Sequence, residues 1–524
     1  MAPSLTTTEP LAHTDTVNGG RKRPRYVDKN ETAATAAAVR VSTTASQYHI
    51  ALDASIRDHA SELRSLYAAS AEAKIWAVAS KQLNSPTPPE YNPEYTEPGG
   101  TDYVYRDRTF WTSGFFPGSL YLLLERRRKH PQYWVRNHNE LSVPEPTLSF
   151  ACQWWTESLH ANATLQGTHD LGFMLMPWAR RAWELNRDGR ALATILAGAQ
   201  TLAARFNPLV GAIRSWDTCV TKVYQYTQPS KEFLMIIDNM MNLDFLFYAA
   251  AQTGDRSLYD MAAAHARTTM HSHIRDDGST VHLVVFDTAT GDVTATHTNQ
   301  GYSSDSCWAR GQAWAVAGFA ETYHWTREPA FLETACRCAD YFLAKLAEAW
   351  ATDPDALPWD FDAVRLSGDP KQPPDTSAAL VAAYGMLLLH EAVSAGTEGV
   401  SRNKGNDYLA AALRIVSLVC RVYLCPPAQF VLQHEPLHTV ETSSHEAASS
   451  IRMVPRLEVD AGNVPAIVRG ATINNFEHAP RRWADHSLVY ADYYFLLVGN
   501  KLLDMGLASL LLEGGETTGS GATL

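Results

Sequence analysis

Two aspartates stand where acid–base chemistry could be done. Asp170 lies in His169-Asp170-Leu171-Gly172-Phe173, and Asp238 in Ile237-Asp238-Asn239-Met240-Met241-Asn242. Each precedes a long apolar run. An ionised carboxylate among bulky apolar neighbours is costly unless something supports it. Asp238 follows Ile236-Ile237 and stands just before Met240-Met241, which predicts burial. Asp170 has His169 beside it as a second ionisable group. Burial and a neighbouring carboxylate raise a carboxyl pKa, while a helix dipole or a histidine charge lowers it. A pair in unequal environments can therefore keep one acid protonated and the other ionised near neutral pH. The competing reading is simpler: aspartate is a favoured helix N-cap, and both residues sit where a helix starts.

A second set of residues is Gln300-Gly301-Tyr302-Ser303-Ser304-Asp305-Ser306-Cys307-Trp308-Ala309-Arg310-Gly311-Gln312-Ala313-Trp314. Arg310 and Trp314 are four apart and share a helical face. Arginine can clamp a carboxylate through two parallel hydrogen bonds, and tryptophan can stack on a sugar ring. A core tryptophan beside a salt-bridged arginine explains the same spacing. Trp111, Phe115, Phe116, Trp216 and Trp483 add aromatic surface at comparable points, which suits a carbohydrate platform.

The elements that must position these residues are mostly helices. Apolar residues recur at three- and four-residue spacing over 172–185, 191–206, 240–252, 256–272, 309–325, 331–349, 376–394 and 407–424. Strand signals are few, the best being 282–286. Polar-aromatic clusters open each apolar helix at 111, 170, 238, 308 and 375, about 60–70 residues apart, with a wider gap before the last at 483. That gap holds an irregular insertion at 425–482. Short turns follow four of the apolar helices, and a more amphipathic helix comes next. Six such helical hairpins predict an all-α fold, a closed (α/α)6 barrel with apolar helices inside. Every inner N-terminus would then meet at one mouth. An open α-solenoid of the same hairpins is the alternative.

Composition narrows the functions. The chain has 524 residues, 45% of them hydrophobic, and a formal net charge of −12. A core of ample size is expected, and the acidic balance argues against nucleic acid as a partner. Seven cysteines at irregular spacing give no disulfide framework, so reduced, mostly buried thiols are expected. No H-E-x-x-H, P-loop, G-x-S-x-G or dinucleotide fingerprint occurs, and His265, His271, His273 and His282 have no metal-ligand spacing. Residues 1–40 are expected to form a disordered tail, 41–510 a single barrel domain and 511–524 a flexible tail. The basic run 20–25 is expected to be a solvated patch. No secretory leader is visible, and no apolar run approaches the roughly 20 residues of a membrane span, so no membrane association and a cytoplasmic residence are expected.

At these motifs the chain resembles the unsaturated glucuronyl hydrolases, glycoside hydrolase family 88. The resemblance runs from about Trp111 to Leu497, through F-W-T-S-G-F-F-P-G, H-D-L-G-F, I-D-N-M-M-N, Q-G-Y-S-S-D-S-C-W-A-R-G-Q-A-W and A-D-Y-Y-F. It implies an (α/α)6 barrel that uses neither metal nor nucleotide cofactor. It implies substrates that are oligosaccharides left by polysaccharide lyases, with an unsaturated uronic acid at the non-reducing end. By the family's pattern Asp238 is the general acid and base and Asp170 assists it, and His282, Gln300, Arg310 and Trp314 would line the sugar and carboxylate subsite. Apart from that pattern, Trp111, His169 and Trp216 are expected as further substrate-binding residues from their places at the clusters. Arg310 would neutralise the substrate carboxylate. Near the C-terminus the family's W-G-D-Y-Y is Tyr490-Ala491-Asp492-Tyr493-Tyr494 here. The stretch 216–237 and the insertion at 425–482 look longer than the family core and are expected to border the groove. Rival assignments are an unsaturated rhamnogalacturonyl hydrolase acting on pectic fragments, a sugar 2-epimerase, and a non-catalytic carbohydrate-binding barrel.

Overall fold

The structure is a computed structural model that describes residues 59–507, apart from 98, 135–140, 365–371, 397–401, 437–452, 461 and 463. The chain divides into Met1–Ala51 and Leu52–Leu524, and all the described residues lie in the second unit. The tails expected at 1–40 and 511–524, the basic run at 20–25 and the domain edges at 41 and 510 lie outside the described residues.

Twelve helices of eleven or more residues are present among the described residues. They are α1 (Ala69–Ala79), α2 (Phe115–Lys129), α3 (Glu145–Thr156), α4 (Leu171–Asn186), α5 (Gly189–Ala203), α6 (Leu243–Thr253), α7 (Arg256–Ser272), α8 (Ala309–Thr326), α9 (Pro329–Thr352), α10 (Thr376–Ser394), α11 (Arg402–Leu418) and α12 (Val489–Asp504). The even-numbered helices form the inner ring. Each packs on the next, and α12 packs back on α2. That last contact closes the ring and excludes the open solenoid.

Sequence decides which helix lies inside. Helix α8 buries 14 of its 18 residues and α9 only 9 of 24. A helix apolar on every side must be enclosed, whereas an amphipathic one can face water. The inner helices approach closely where a side chain is missing: a Cβ on Gly385 of α10 would stand 2.8 Å from the Ala317 backbone of α8. Helix α10 is also long and apolar enough, by length and composition alone, to cross a membrane. The expectation that no run approaches that length is therefore corrected; the helix is an inner stave of the barrel, largely buried there.

The boundaries of α7 and α10 match the apolar periodicity to the residue. Asp255 and Asp375 cap them, the first accepting the Ser257 N–H and the second the N–H groups of Ser377 and Ala378.

Strands are more numerous than the pattern suggested. They are β1 (Tyr91–Thr96), β2 (Tyr103–Asp107), β3 (Phe206–Asn207), β4 (Ala212–Ile213), β5 (Cys219–Val220), β6 (Gln225–Tyr226), β7 (Glu232–Ile236), β8 (Leu283–Asp287), β9 (Val293–His297), β10 (Gln429–Pro436), β11 (Met453–Asp460) and β12 (Ser487–Leu488). Five of them, β3 to β6 and β12, are two residues each, too short to show a period of two. The sheet β7-β8-β9 is antiparallel, with Ile236 opposite Leu283 and Leu283 opposite His297. It ends at Ile237 and His282, whose backbones are joined by a 3.0 Å hydrogen bond. The insertion at 425–482 contains the hairpin β10–β11 and then a segment that returns to the barrel mouth. All seven cysteines are free thiols, six of them buried and Cys219 half-buried.

Candidate active site

The two aspartate motifs meet at one mouth of the barrel. Asp170 is the residue before α4, and Asp238 lies in the tight 3-10 turn Ile237–Asn242 that leads into α6. Neither carboxylate caps its helix: no side-chain capping bond exists at the start of α4 or of that turn. The helix-cap reading therefore explains Asp188, Asp255 and Asp375, which do accept N-terminal amides, but not this pair.

Asparagines lock the two motifs together. Asn242 accepts the Gly172 N–H at 2.8 Å and donates to Asn239 at 2.9 Å; its Nδ2 also lies 3.4 Å from His169 Nδ1. Asn239 donates in turn to the Ile213 carbonyl at 2.8 Å. The glycine is required by this contact, since a Cβ on Gly172 would stand 2.4 Å from Asn242 Oδ1. His169 is buried, with Nε2 3.2 Å from Asp170 Oδ1, and burial lowers its pKa, which favours the neutral ring. Thr168 donates its hydroxyl to Asp170 Oδ2 at 2.6 Å.

Asp238 is 15% exposed at its side chain, yet Oδ2 is sealed and has no hydrogen-bond partner. Oδ1 is thus the oxygen that meets the open bowl. Burial pushes the Asp238 pKa up to about 7, against the pull of the Arg310 charge, its own backbone N–H and the Trp314 indole. The Asp170 charge pushes the same way as burial, so the two carboxylates sense one another. The Trp314 N–H makes no bond of ordinary geometry but lies near enough to act. His282 Nε2 is 3.8 Å from Asp238 Oδ2. Burial, reinforced by Arg310, pushes the His282 pKa down to about 3, so the ring is neutral.

Other expected residues divide. Trp216 bridges Thr168 and Leu234 in the backbone and meets the His282 ring edge-on at 6.4 Å. Trp111, half-buried, packs on Phe173 at 5.5 Å and Tyr490 at 5.1 Å. Gln300 Oε1 lies 3.5 Å from Arg310 Nη2.

Two expectations are corrected. Trp314 is 1% exposed, wedged between Phe173 and Tyr494 at 5.3 and 5.8 Å, so it has no free face on which a sugar could stack. Arg310 is also 1% exposed, and its charge is already matched. It donates to Asp375 Oδ2 at 2.8 Å, to Ile473 O at 2.6 Å and to Thr472 O, and it lies over the rings of Trp308 and Tyr490. It acts on Asp238 through its field and is not poised as a clamp for a carboxylate. Phe115 and Phe116 are core residues, while Trp483 is half-buried.

Asp375, Trp308, Tyr490, Thr298 and Asn299 belong to the site but escaped sequence reasoning. Signals existed for the first three: Asp375 lies in the Pro374-Asp375-Thr376-Ser377 cluster, Trp308 in the cluster that opens α8, and Tyr490 heads the Tyr490-Ala491-Asp492-Tyr493-Tyr494 motif. Buried polar atoms without partners gather here: His169 Nε2, Asp238 Oδ2, His282 Nε2, Trp308 Nε1, Trp314 Nε1 and the Tyr490 hydroxyl. Such atoms are uncommon in folded proteins and mark a place where a ligand or solvent completes the bonding. Among the described residues no three His, Cys, Asp or Glu side chains are arranged to hold a metal ion.

A separate cavity of about 250 Å³ lies beyond Phe115 and Phe173, toward the C-terminal ends of the inner helices. Its arginines are spent on ion pairs, Arg181 with Glu125 and Arg180 with Asp244, and it includes neither Asp170 nor Asp238. The chemistry is therefore placed at the other mouth.

A closed double ring of helices with paired carboxylates at its inner N-termini is an (α/α)6 barrel. No family model matches the chain. The unsaturated glucuronyl hydrolase of Bacillus sp. (strain GL1) is 31% identical to it over 289 residues, 55% of this chain and 69% of that protein. An unsaturated chondroitin disaccharide hydrolase of Streptococcus agalactiae is 30% identical over 298 residues, 56% of this chain and 68% of that protein. The chain belongs to the unsaturated glucuronyl hydrolase family. Its match to the Formosa agariphila unsaturated glucuronyl hydrolase, 32% identical, covers less of that relative, 63% of its length. The crystal structure of an unsaturated glucuronyl hydrolase specific for heparin is 28% identical, with a TM-score of 0.63 over 84% of this chain and 98% of that one.

Proposed function

We propose that this barrel releases the terminal unsaturated uronic acid from lyase-generated oligosaccharides by hydrating its C4=C5 double bond. The observation that carries the reading is Asp238: a carboxyl whose buried setting holds it partly protonated at neutral pH, with one oxygen open to the bowl. A general acid is most effective when its pKa lies near the working pH. Relatives named for glucuronyl and chondroitin disaccharide hydrolysis support the substrate class.

The chemistry follows from the vinyl ether. Asp238 gives its proton to C4, and positive charge forms at C5, spread onto the ring oxygen. Water adds at C5, and the Asp238 carboxylate takes the proton that the water loses. The acid is thereby restored. The product is a hemiketal at C5, which opens and releases the remaining sugar. No covalent glycosyl intermediate is needed, and the route differs from ordinary retaining or inverting hydrolysis. Asp170, held by Thr168 and His169, assists by orienting the water or a sugar hydroxyl and by keeping the Asp238 proton in place through its charge.

The test uses unsaturated disaccharides from chondroitin, hyaluronan, heparin and pectin lyase digests. Loss of the double-bond absorbance is expected on at least one, with Asp238→Asn slowed about a thousandfold or more. Full activity in Asp238→Asn, or no decay on any substrate, would overturn the assignment. Decay on pectic fragments alone would favour rhamnogalacturonyl substrates.

A further inference from the structure

We propose that the bend at Thr298–Asn299 fixes which oxygen of Asp238 carries the acid proton, by holding His282 in one tautomer. The inference rests on the reading of Asp238 as proton donor. It assigns a positioning role to Thr298 and, behind it, to Tyr224.

The geometry starts at the end of the β7–β8 ladder. The His282 carbonyl accepts the Ile237 N–H, which sets the imidazole beside Asp238. The Asn299 N–H donates to His282 Nδ1 at 3.1 Å. Thr298 Oγ1 lies 3.3 Å from the same nitrogen and accepts the Gly301 N–H at 2.8 Å, which leaves its own hydrogen to point at Nδ1. A ring nitrogen that accepts an amide hydrogen carries none of its own. The neutral ring therefore keeps its hydrogen on Nε2, and Nε2 faces Asp238 Oδ2 at 3.8 Å.

At 3.8 Å the pair is too far apart for a hydrogen bond, but an Nε2–H dipole aimed at the sealed Oδ2 favours lone pairs on that oxygen. A proton placed there would set two hydrogens against each other. The acid proton belongs on Oδ1, the oxygen open to the bowl and to the alkene carbon. The other charged or polar groups acting on Asp238 are Arg310, Asp170 and the Trp314 indole. Of these neighbours the His282 ring is the one whose hydrogen could sit on either of two nitrogens, so its tautomer sets the dipole that Oδ2 meets.

The bend is braced from outside the barrel. The Tyr224 hydroxyl donates to the Thr298 carbonyl at 3.0 Å, and its ring stacks on His297 with centroids 4.2 Å apart. The Tyr226 hydroxyl lies 2.8 Å from His297 Nε2. Both tyrosines come from the β5–β6 hairpin, inside the stretch 216–237 that looked longer than the family core. The hairpin thereby holds the turn that orients the acid.

Neutron diffraction from deuterium-exchanged crystals of the full chain at pH 6 tests the proton positions directly. Deuterium is expected on His282 Nε2 and on Asp238 Oδ1. Deuterium on His282 Nδ1, or on Asp238 Oδ2, would overturn the proposal. The kinetic test is Thr298→Val, which keeps the shape but removes the hydroxyl. Its kcat should fall about tenfold with KM within about twofold, and the basic limb of its pH profile should move upward. Thr298→Ser should restore kcat. An unchanged kcat and pH profile in folded Thr298→Val would count against the role. A variant that fails to fold leaves the wild-type neutron map to decide. Inactivity of the wild type on every unsaturated disaccharide would instead refute the functional reading, while the neutron positions would still settle the tautomer.

Discussion

Asp238 and Asp170 began as equivalents, and the structure separates them. Asp238 has one oxygen sealed and unpartnered and a pKa pushed up to about 7 by burial. Asp170 accepts the Thr168 hydroxyl and stands 3.2 Å from His169 Nε2. If Asp238 acts first as an acid, kcat/KM should fall about tenfold per pH unit above 7, as an initial-rate profile would show. The same shift has a stability consequence. The folded pKa is raised above the ordinary aspartate value, so its contribution is full at low pH and is lost as pH rises to about 7. Asp238→Asn has no such loss. Thermal melts from pH 4 to 8.5 should show the variant gaining on the wild type up to pH 7 and holding a constant lead above it, by at most roughly 4 kcal/mol before screening at the exposed oxygen. The aspartates were legible in the sequence because charge beside Ile-Ile and Met-Met is chemically conspicuous. The settings of Arg310 and Trp314 were not. Their partners, Asp375, Thr472, Ile473, Phe173 and Tyr494, lie far away in the chain, and four-residue spacing cannot tell an open face from a sealed one.

At the scale of elements, the site is a joint between α4 and the 3-10 turn before α6. Asn242 reads both sides of that joint through the Gly172 amide and the His169 ring. Gly172→Ala should push Asn242 away and cost about 2–3 kcal/mol, measurable as a lowered urea midpoint, with kcat falling as the aspartates separate. Folding without loss of either would show that the joint is looser than its distances indicate. Helices were readable wherever apolar periodicity ran long and an aspartate capped the start, as at α7 and α10. Helix α6 was placed three residues early, because its first turn is wound as 3-10 and still carries apolar residues. Strands β3 to β6 are two residues each, too short for any periodic signal. Their importance lies in what they brace, which only the folded contacts reveal.

At the scale of the molecule, the hairpin repeat made the barrel legible, and the contact of α12 with α2 was the part no local pattern could supply. The net charge of −12 opposes an anionic substrate, and Arg310, deep in the site, is already neutralised by Asp375. KM for an unsaturated uronate should therefore decrease several-fold between about 10 and 150 mM salt, where screening shortens the protein's field. A KM that rises with salt would point to an open cationic subsite instead. The closure of the ring also bears on how the enzyme comes into being. The cradle of Arg310 needs Thr472, Ile473 and Tyr490, and Arg126 of α2 reaches across 374 residues to Asn500 of α12. A chain growing from its N-terminus can wind five hairpins and still lack the field that tunes Asp238. Competence would arrive late and all at once, with the docking of the last stave, so during refolding the recovery of helical signal should run ahead of the recovery of turnover.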